Sequence, residues 1–153
     1  MAYPNGTVAL KDVNLRIEDG EFVFVVGHSG AGKTTLTKLL LCEETISSGR
    51  LHVNGYNLER IRKRRIPYLR RTMGVVFQDF KLFDKKTAYE NVAFAMQVVG
   101  EKPSLIRKRV PFFLNVVGLS EKAGSFPNEL SGGEQQRVAF ARALVNNPQL
   151  VIA

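Results

Sequence analysis

Residues 27–34 read Gly27-His28-Ser29-Gly30-Ala31-Gly32-Lys33-Thr34: a glycine, four residues, then Gly-Lys-Thr. That spacing is a phosphate-binding loop when it joins a strand to a helix. The apolar run Phe22-Val23-Phe24-Val25-Val26 precedes it, and a helical run from Thr34 to Leu41 follows. The glycines let successive backbone N–H groups converge on an anion at a helix N-terminus, where the helix dipole also favours negative charge. Lys33 is placed to reach the β- and γ-phosphates of a nucleoside triphosphate, and the Thr34 hydroxyl to ligate Mg²⁺. A flexible glycine-rich turn is the plainer reading. The strand and helix on either side weigh against it.

Composition frames the rest. A hydrophobic fraction of 44% with 24% charged residues fits one globular domain with a core rather than a disordered chain. No apolar run approaches the ~20 residues that span a bilayer, and no signal-peptide pattern opens the chain. The single cysteine, Cys42, excludes an internal disulfide and fits a reducing compartment; a small buried apolar role is expected for it. His28 and His52 show no metal-ligand spacing, so structural zinc is not expected. The net charge of +8 comes largely from Arg60, Arg62, Lys63, Arg64, Arg65, Arg70 and Arg71, with a smaller group at Arg107, Lys108 and Arg109. Such a cluster serves a nucleic-acid or anionic-membrane surface, or is a solvated basic face. Aromatics do not interleave with the charges as stacking platforms for single strands would require, so no nucleic-acid partner is expected.

Along the chain, Val8, Leu10, Val13, Leu15 and Ile17 alternate as a half-buried strand. Asp19-Gly20 is expected to turn it into the 22–26 strand as a hairpin. Leu36, Leu39 and Leu40 fall at helical spacing and should pack the following helix onto a sheet. Leu51-His52-Val53 reads as a short strand closed by Asn54-Gly55, and Met73-Gly74-Val75-Val76-Phe77 as a buried strand ending at Gln78. Thr87-x-x-Glu90 is a capping box opening a helix whose apolar face runs through Val92, Met96 and Val99. A helix is expected from Ser104 to Val117, kinked at Pro111 and stopped by Gly118. Another runs from Gly132 to Asn146, and the apolar strand Leu150-Val151-Ile152-Ala153 follows. Strand–helix alternation with a helical insertion predicts an α/β fold with a mainly parallel, helix-covered sheet.

Leu130-Ser131-Gly132-Gly133-Glu134-Gln135-Gln136-Arg137 narrows the choice among phosphate-loop proteins. Ser131 and Glu134 alone make a capping box. Two glycines in a first helical turn, however, cost about 1 kcal/mol each relative to alanine; they make sense where another group must approach the backbone closely. The segment resembles the signature of the ATP-binding-cassette (ABC) ATPases, and it stands in their order, after the phosphate loop and a helical insertion. The resemblance implies that Gly27 to Thr35 bind ATP and Mg²⁺, with Lys33 catalytic and Thr34 on the metal. It also implies that Ser131, Gly132, Gly133 and Glu134 contact the γ-phosphate held by an opposite subunit, in a head-to-tail homodimer. By the same resemblance, Tyr3 stacks on adenine. Gln78 likewise becomes a second catalytic and metal-contacting residue, its amide oxygen suited both to a hard cation and to the attacking water.

Within that family, the Gly27–Thr35 version of the loop and Leu69-Arg70-Arg71 leading into 74–80 point to one branch. Tyr89-Glu90-Asn91-Val92 and the Glu-Gln-Gln-Arg form of the signature agree. It is the branch whose ATPase acts with an integral membrane subunit in bacterial cell division. That implies a peripheral protein on the cytoplasmic face of the plasma membrane. ATPases of lipoprotein-release or amino-acid transport systems are an alternative, and a basic, non-hydrolysing binding module is another. The expected organisation is one partial ABC domain over 1–153: a nucleotide-binding core at 1–78, a helical subdomain at 79–130, and the signature helix with the start of the next strand at 131–153. An Asp–Glu pair of the family would follow Ala153, and a first strand would precede Tyr3, so the chain reads as truncated at both ends and catalytically incomplete.

Overall fold

The computed structural model describes residue 1 and residues 8–153. They divide into two compact units, Met1–Ile66 and Pro67–Ala153.

In the first unit, helix α1 (Lys33–Leu40) follows the glycine-rich loop as expected. Its entry depends on Gly32, which takes φ 89 as the N-cap. A β-carbon there would also stand 2.6 Å from the Ala9 carbonyl and 2.7 Å from Leu10. Glycine is therefore required twice over, by conformation and by space. Leu39 is buried, while Leu36 and Leu40 are half-buried. Cys42, at φ 54, ends the helix with its N–H on the Leu39 carbonyl; it is half-buried, less than the apolar role predicts. Strands β1 (His52–Val53) and β2 (Tyr56–Asn57) form an antiparallel hairpin in register His52↔Asn57 and Val53↔Tyr56. Asn54 and Gly55, at φ 48 and 77, supply the two left-handed turn residues that this hairpin type needs.

The hairpin expected upstream is not formed. The turn is there, with the Glu21 N–H on the Glu18 carbonyl at 3.2 Å, yet residues 9–31 contain no strand. Phe22, Phe24 and Val26 are 82%, 79% and 87% exposed. Alternating apolar residues become a strand only when a neighbouring strand pairs their backbone and a layer covers their face; two strands alone are marginal.

The second unit holds the better-covered core. Helix α2 (Ile66–Arg71) leads into strand β3 (Met73–Val75), which pairs in parallel with β4 (Leu150–Ile152). The register is Met73↔Leu150, Gly74↔Val151 and Val75↔Ile152. Gly74 lets the end of helix α5 (Gly132–Leu144) lie directly on β3, since a β-carbon would strike the Ala143 carbonyl. Helices α3 (Ala88–Val98), α4 (Pro103–Val116) and α5 enclose Val92, Met96, Val110, Leu114, Val138 and Ala141, all essentially without solvent exposure. Helix α4 continues through Pro111, which sits on its exposed side. Gly118 follows at φ 71 as the expected stop.

The basic segment turns out to be structured. It forms two short 3₁₀ turns, Leu58–Arg60 and Lys63–Arg65, before α2. Its arginines do meet aromatics: Arg65 lies over Tyr56 at 5.9 Å and Arg71 over Tyr68 at 5.2 Å. Among the described residues no helix is long and apolar enough to cross a membrane.

Candidate nucleotide site

The loop before α1 is shaped by two left-handed glycines, Gly30 at φ 82 and Gly32 at φ 89. Between them the chain turns tightly, with the Ala31 N–H on the His28 carbonyl at 3.2 Å. The Lys33 ammonium folds back over this turn and donates to the carbonyls of Gly27 at 2.6 Å and His28 at 2.9 Å. A cation is thus held at the mouth of the loop by weak, exchangeable acceptors, where a phosphate oxygen would be a stronger one. The His28 ring places Nδ1 2.7 Å from the Ser29 carbonyl, so this nitrogen carries the proton. The Thr34 side chain is exposed, whereas Thr35 is 7% exposed.

Helix α1 has no side-chain N-cap and no acidic residue in its first turn. The first N–H groups of a helix lack partners within it, and the favourable counter-charge has been left out of the sequence. An anion fits there on three counts: the glycine geometry, the nearby ammonium and the uncapped dipole.

The segment at Ser131 is built differently. Ser131 caps α5, its hydroxyl accepting from the Glu134 N–H at 3.3 Å and donating to the Glu134 carboxylate at 2.7 Å. The same carboxylate accepts the Ser131 N–H at 2.8 Å. These bonds from Ser131 hold the Glu134 carboxyl below the usual carboxylate range. Gln135 fixes the approach to the helix by donating to the carbonyls of Pro127 at 2.9 Å and Leu130 at 3.1 Å. Gly132 has nothing within contact range of an added β-carbon, and Gly133 has only the end of Arg137 at 3.9 Å. The chain's own packing does not require glycine at either position.

Gln78 is exposed, in a turn just after β3. The segment behind it is pinned from two helices. Arg142 of α5 donates to the carbonyls of Phe80 and Lys81, each at 2.6 Å. Asn91 of α3, fully buried, accepts the Phe83 N–H at 2.8 Å and donates to the carbonyls of Phe83, Lys86 and Thr87. Asp79 pairs with Lys81 at 2.7 Å, a hydrogen bond that lowers its pKa. Sequence reasoning quoted Asn91 only as part of a motif and passed over Arg142, whose acceptors lie 61 and 62 residues away. Tyr3 lies outside the described residues. The phosphate-loop residues and Thr35 gather in the first unit. Gln78, Ser131, Gly132, Gly133 and Glu134 lie in the second.

The strand expected before the glycine loop is not formed, so the loop's context is met only by the uncapped helix that follows it. The class rests on the glycine loop, that helix and the parallel strand pair packed with the signature-bearing helix, which together fit an α/β phosphate-loop protein of the cassette type. Residues 10–153 match the family described as ABC transporter, and the chain belongs to that family. It is 56% identical over 151 residues to the cell division ATP-binding protein FtsE of Streptococcus pneumoniae serotype 2, covering 99% of this chain and 66% of that protein. It is 55% identical over 152 residues to FtsE of Bacillus subtilis, covering 99% and 67%. FtsE of Escherichia coli strain K12 is 45% identical over 152 residues, covering 99% and 68%. The chain thus spans about two thirds of the length of these curated relatives. Among solved structures, an ATP-binding cassette captured as a dimer in a post-hydrolysis state with ADP and Pi superposes with a TM-score of 0.83 at 38% identity, covering 94% of this chain and 64% of that one. A dimeric bacterial ABC transporter cassette superposes with a TM-score of 0.84, also at 38% identity. The expected fold, an ABC-type α/β domain with parallel and antiparallel strands and a helical part, is thereby shown.

Proposed function

We propose that this chain is part of the ATP-binding and ATP-hydrolysing subunit of an FtsE-like complex in bacterial cell division. The observation that carries the reading is the loop itself: left-handed Gly30 and Gly32, the Lys33 ammonium over the loop carbonyls, and a helix end without a cap or an acid. In this reading Gly27 to Thr35 cradle the phosphates of ATP, Lys33 neutralises the β- and γ-oxygens, and Thr34 ligates Mg²⁺. Tyr3 stacks on the base. Gln78, exposed just after β3, would offer its amide oxygen to the metal and to the attacking water. Bound Mg²⁺ supplies charge neutralisation on the transferring phosphoryl group; the exposed hydroxyl of Thr34 suits a ligand of that kind.

Ser131, Gly132, Gly133 and Glu134 act on a nucleotide held by a second copy, in a head-to-tail homodimer. Support comes from the open space at both glycines, which leaves their backbone approachable. The working parts are a nucleotide-binding core at 1–78, a helical subdomain at 79–130 and the signature helix from 131. An FtsX-like integral membrane subunit is the partner, placing the protein at the cytoplasmic face of the plasma membrane. Residues 79–83 and the helix that begins at Thr87 form the contact surface for that subunit, with Phe80, Leu82 and Phe83 as its apolar contacts. Phe83 is 42% exposed and packs edge-to-face on Phe94 at 4.8 Å, while Leu82 is half-buried against the helical core.

The test is Lys33→Ala in the complete protein, titrated with a fluorescent ATP analogue. Loss of a charge-assisted contact of this kind lowers affinity by about 10²-fold or more. Equal affinity in both forms would remove Lys33, and with it the reading.

A further inference from the structure

Directly after Gln78 the backbone adopts a shape that no local sequence signal calls for. Phe80 and Lys81 both lie in the left-handed region, at φ 55 and 48. Neither is glycine, asparagine or aspartate, the residues that tolerate that region. Two such residues in a row persist only where their surroundings over-determine them. Locally, the Phe80 N–H donates to the Phe77 carbonyl at 2.9 Å and the Lys81 ammonium pairs with Asp79 at 2.7 Å; from α5, Arg142 takes the two carbonyls. Its two Nη atoms reach the two strained carbonyls at 2.6 Å each, a planar fork matched to adjacent oxygens. The side chain is half-buried, and desolvation lowers the pKa of its guanidinium. The far end of the same segment is fixed separately by Asn91 from α3. Arg142 alone, of these two, ties the segment to α5, the helix that opens with Ser131, Gly132 and Gly133.

We propose that Arg142 is a positioning residue: it holds Phe80 and Lys81 in their left-handed form, fixes where Gln78 presents its amide, and links that loop mechanically to the signature helix. A shift of α5 on engaging a nucleotide is then felt at Gln78 through two hydrogen bonds rather than through the distant core. The consequence for turnover rests on the ATPase reading above; the consequence for loop geometry does not.

The experiment compares the complete protein with Arg142→Ala, Arg142→Lys and the double variant Arg142→Ala/Lys81→Gly. Amide hydrogen exchange without nucleotide is read at residues 78–83, and kcat, KM and nucleotide affinity are measured per folded protein. In Arg142→Ala, exchange at Phe80 and Lys81 rises by roughly tenfold or more while α3 is unchanged. Misplacement of a group beside the reaction lowers kcat by about 10²-fold, with affinity held within about twofold because the phosphate loop carries binding. Lysine, a point donor without the fork, restores only part of the loss. Glycine at 81 occupies the left-handed region without steric cost and raises kcat severalfold in the alanine background, a response that general destabilisation would not give. Unchanged exchange at 78–83 would overturn the proposal, as would unchanged kcat or affinity falling in step with kcat. If the parent protein turns over no faster than its Lys33→Ala control, the ATPase reading fails, and the exchange measurement still decides the role of Arg142. Should Arg142→Ala not fold, Arg142→Lys and Arg142→Gln report the same quantities.

Discussion

Helix α1 and helix α5 begin in opposite ways. Helix α5 is closed by its own side chains: Ser131 and Glu134 satisfy each other's N–H groups, as Thr87 and Glu90 do at α3. Helix α1 starts from a left-handed glycine with no cap and no acid, beside a lysine. The difference separates two uses of one piece of physics. A helix end that supplies its own acceptors is finished as a structural element, whereas one that withholds them is prepared for an anion from outside. At α5 the two uses overlap, because the capped end also carries Gly132 and Gly133 with open space in front of them.

The largest effect expected from breaking this contrast lies at Gly32. In Gly32→Ala a β-carbon must enter a left-handed backbone and meet the Ala9 carbonyl. That costs about 2 kcal/mol or more, which chemical denaturation of the complete protein would register. Nucleotide affinity should fall with it, because the N–H array loses its shape. An unchanged midpoint would mean that the α1 entry relaxes freely.

A smaller effect is expected at the self-capped ends. Ser131→Ala and Thr87→Ala each remove an N-cap, at a cost of about 1 kcal/mol. Only Ser131→Ala should also weaken ATP-driven dimerisation, measured by sedimentation, since only that end is assigned to a partner's nucleotide. If both variants dimerise as the parent does, the signature end is purely structural.

The smallest effect concerns pH. Glu134 and Glu90 are both held below the usual carboxylate range, Glu134 chiefly by the Ser131 side chain and Glu90 by the Thr87 backbone N–H. Depressed folded-state values mean that the stabilisation is complete above the unfolded carboxylate pKa near ~4.3 and is lost as pH falls through the lowered values. Helicity of the complete protein should therefore be flat from pH 7 to about pH 5 and decline below it. Glu134→Gln should remove part of that decline, and the same acid profile in the variant would exclude Glu134 as a contributor.

What could be read from the sequence follows the range of the interactions. The two capping boxes, the Asn54-Gly55 hairpin and the Gly118 stop are decided within four residues, and all are found. The glycine loop is legible for the same reason, since its left-handed Gly30 and Gly32 and the helix after it lie in one run of residues; the strand expected before it depends on distant partners and is not formed. The strands expected at 8–17 and 22–26 are not formed, because alternation signals only the need for a covered face, and whether one is supplied is decided elsewhere. The 3₁₀ turns and α2 in the basic segment had no apolar period to reveal them. Arg142 was invisible for a similar reason: a guanidinium bonded to carbonyls 61 and 62 residues away leaves no trace in spacing.

The contrast between the two helix ends is tested most directly by backbone amide chemical shifts of the complete protein during titration with Mg²⁺ and ATP. The largest shifts are expected at Gly30 to Thr35 and should vanish in Lys33→Ala, while the self-capped amides at Thr87 to Asn91 stay in place. Shifts concentrated at 87–91 with 30–35 unmoved would contradict the assignment of α1 as the end prepared for phosphate.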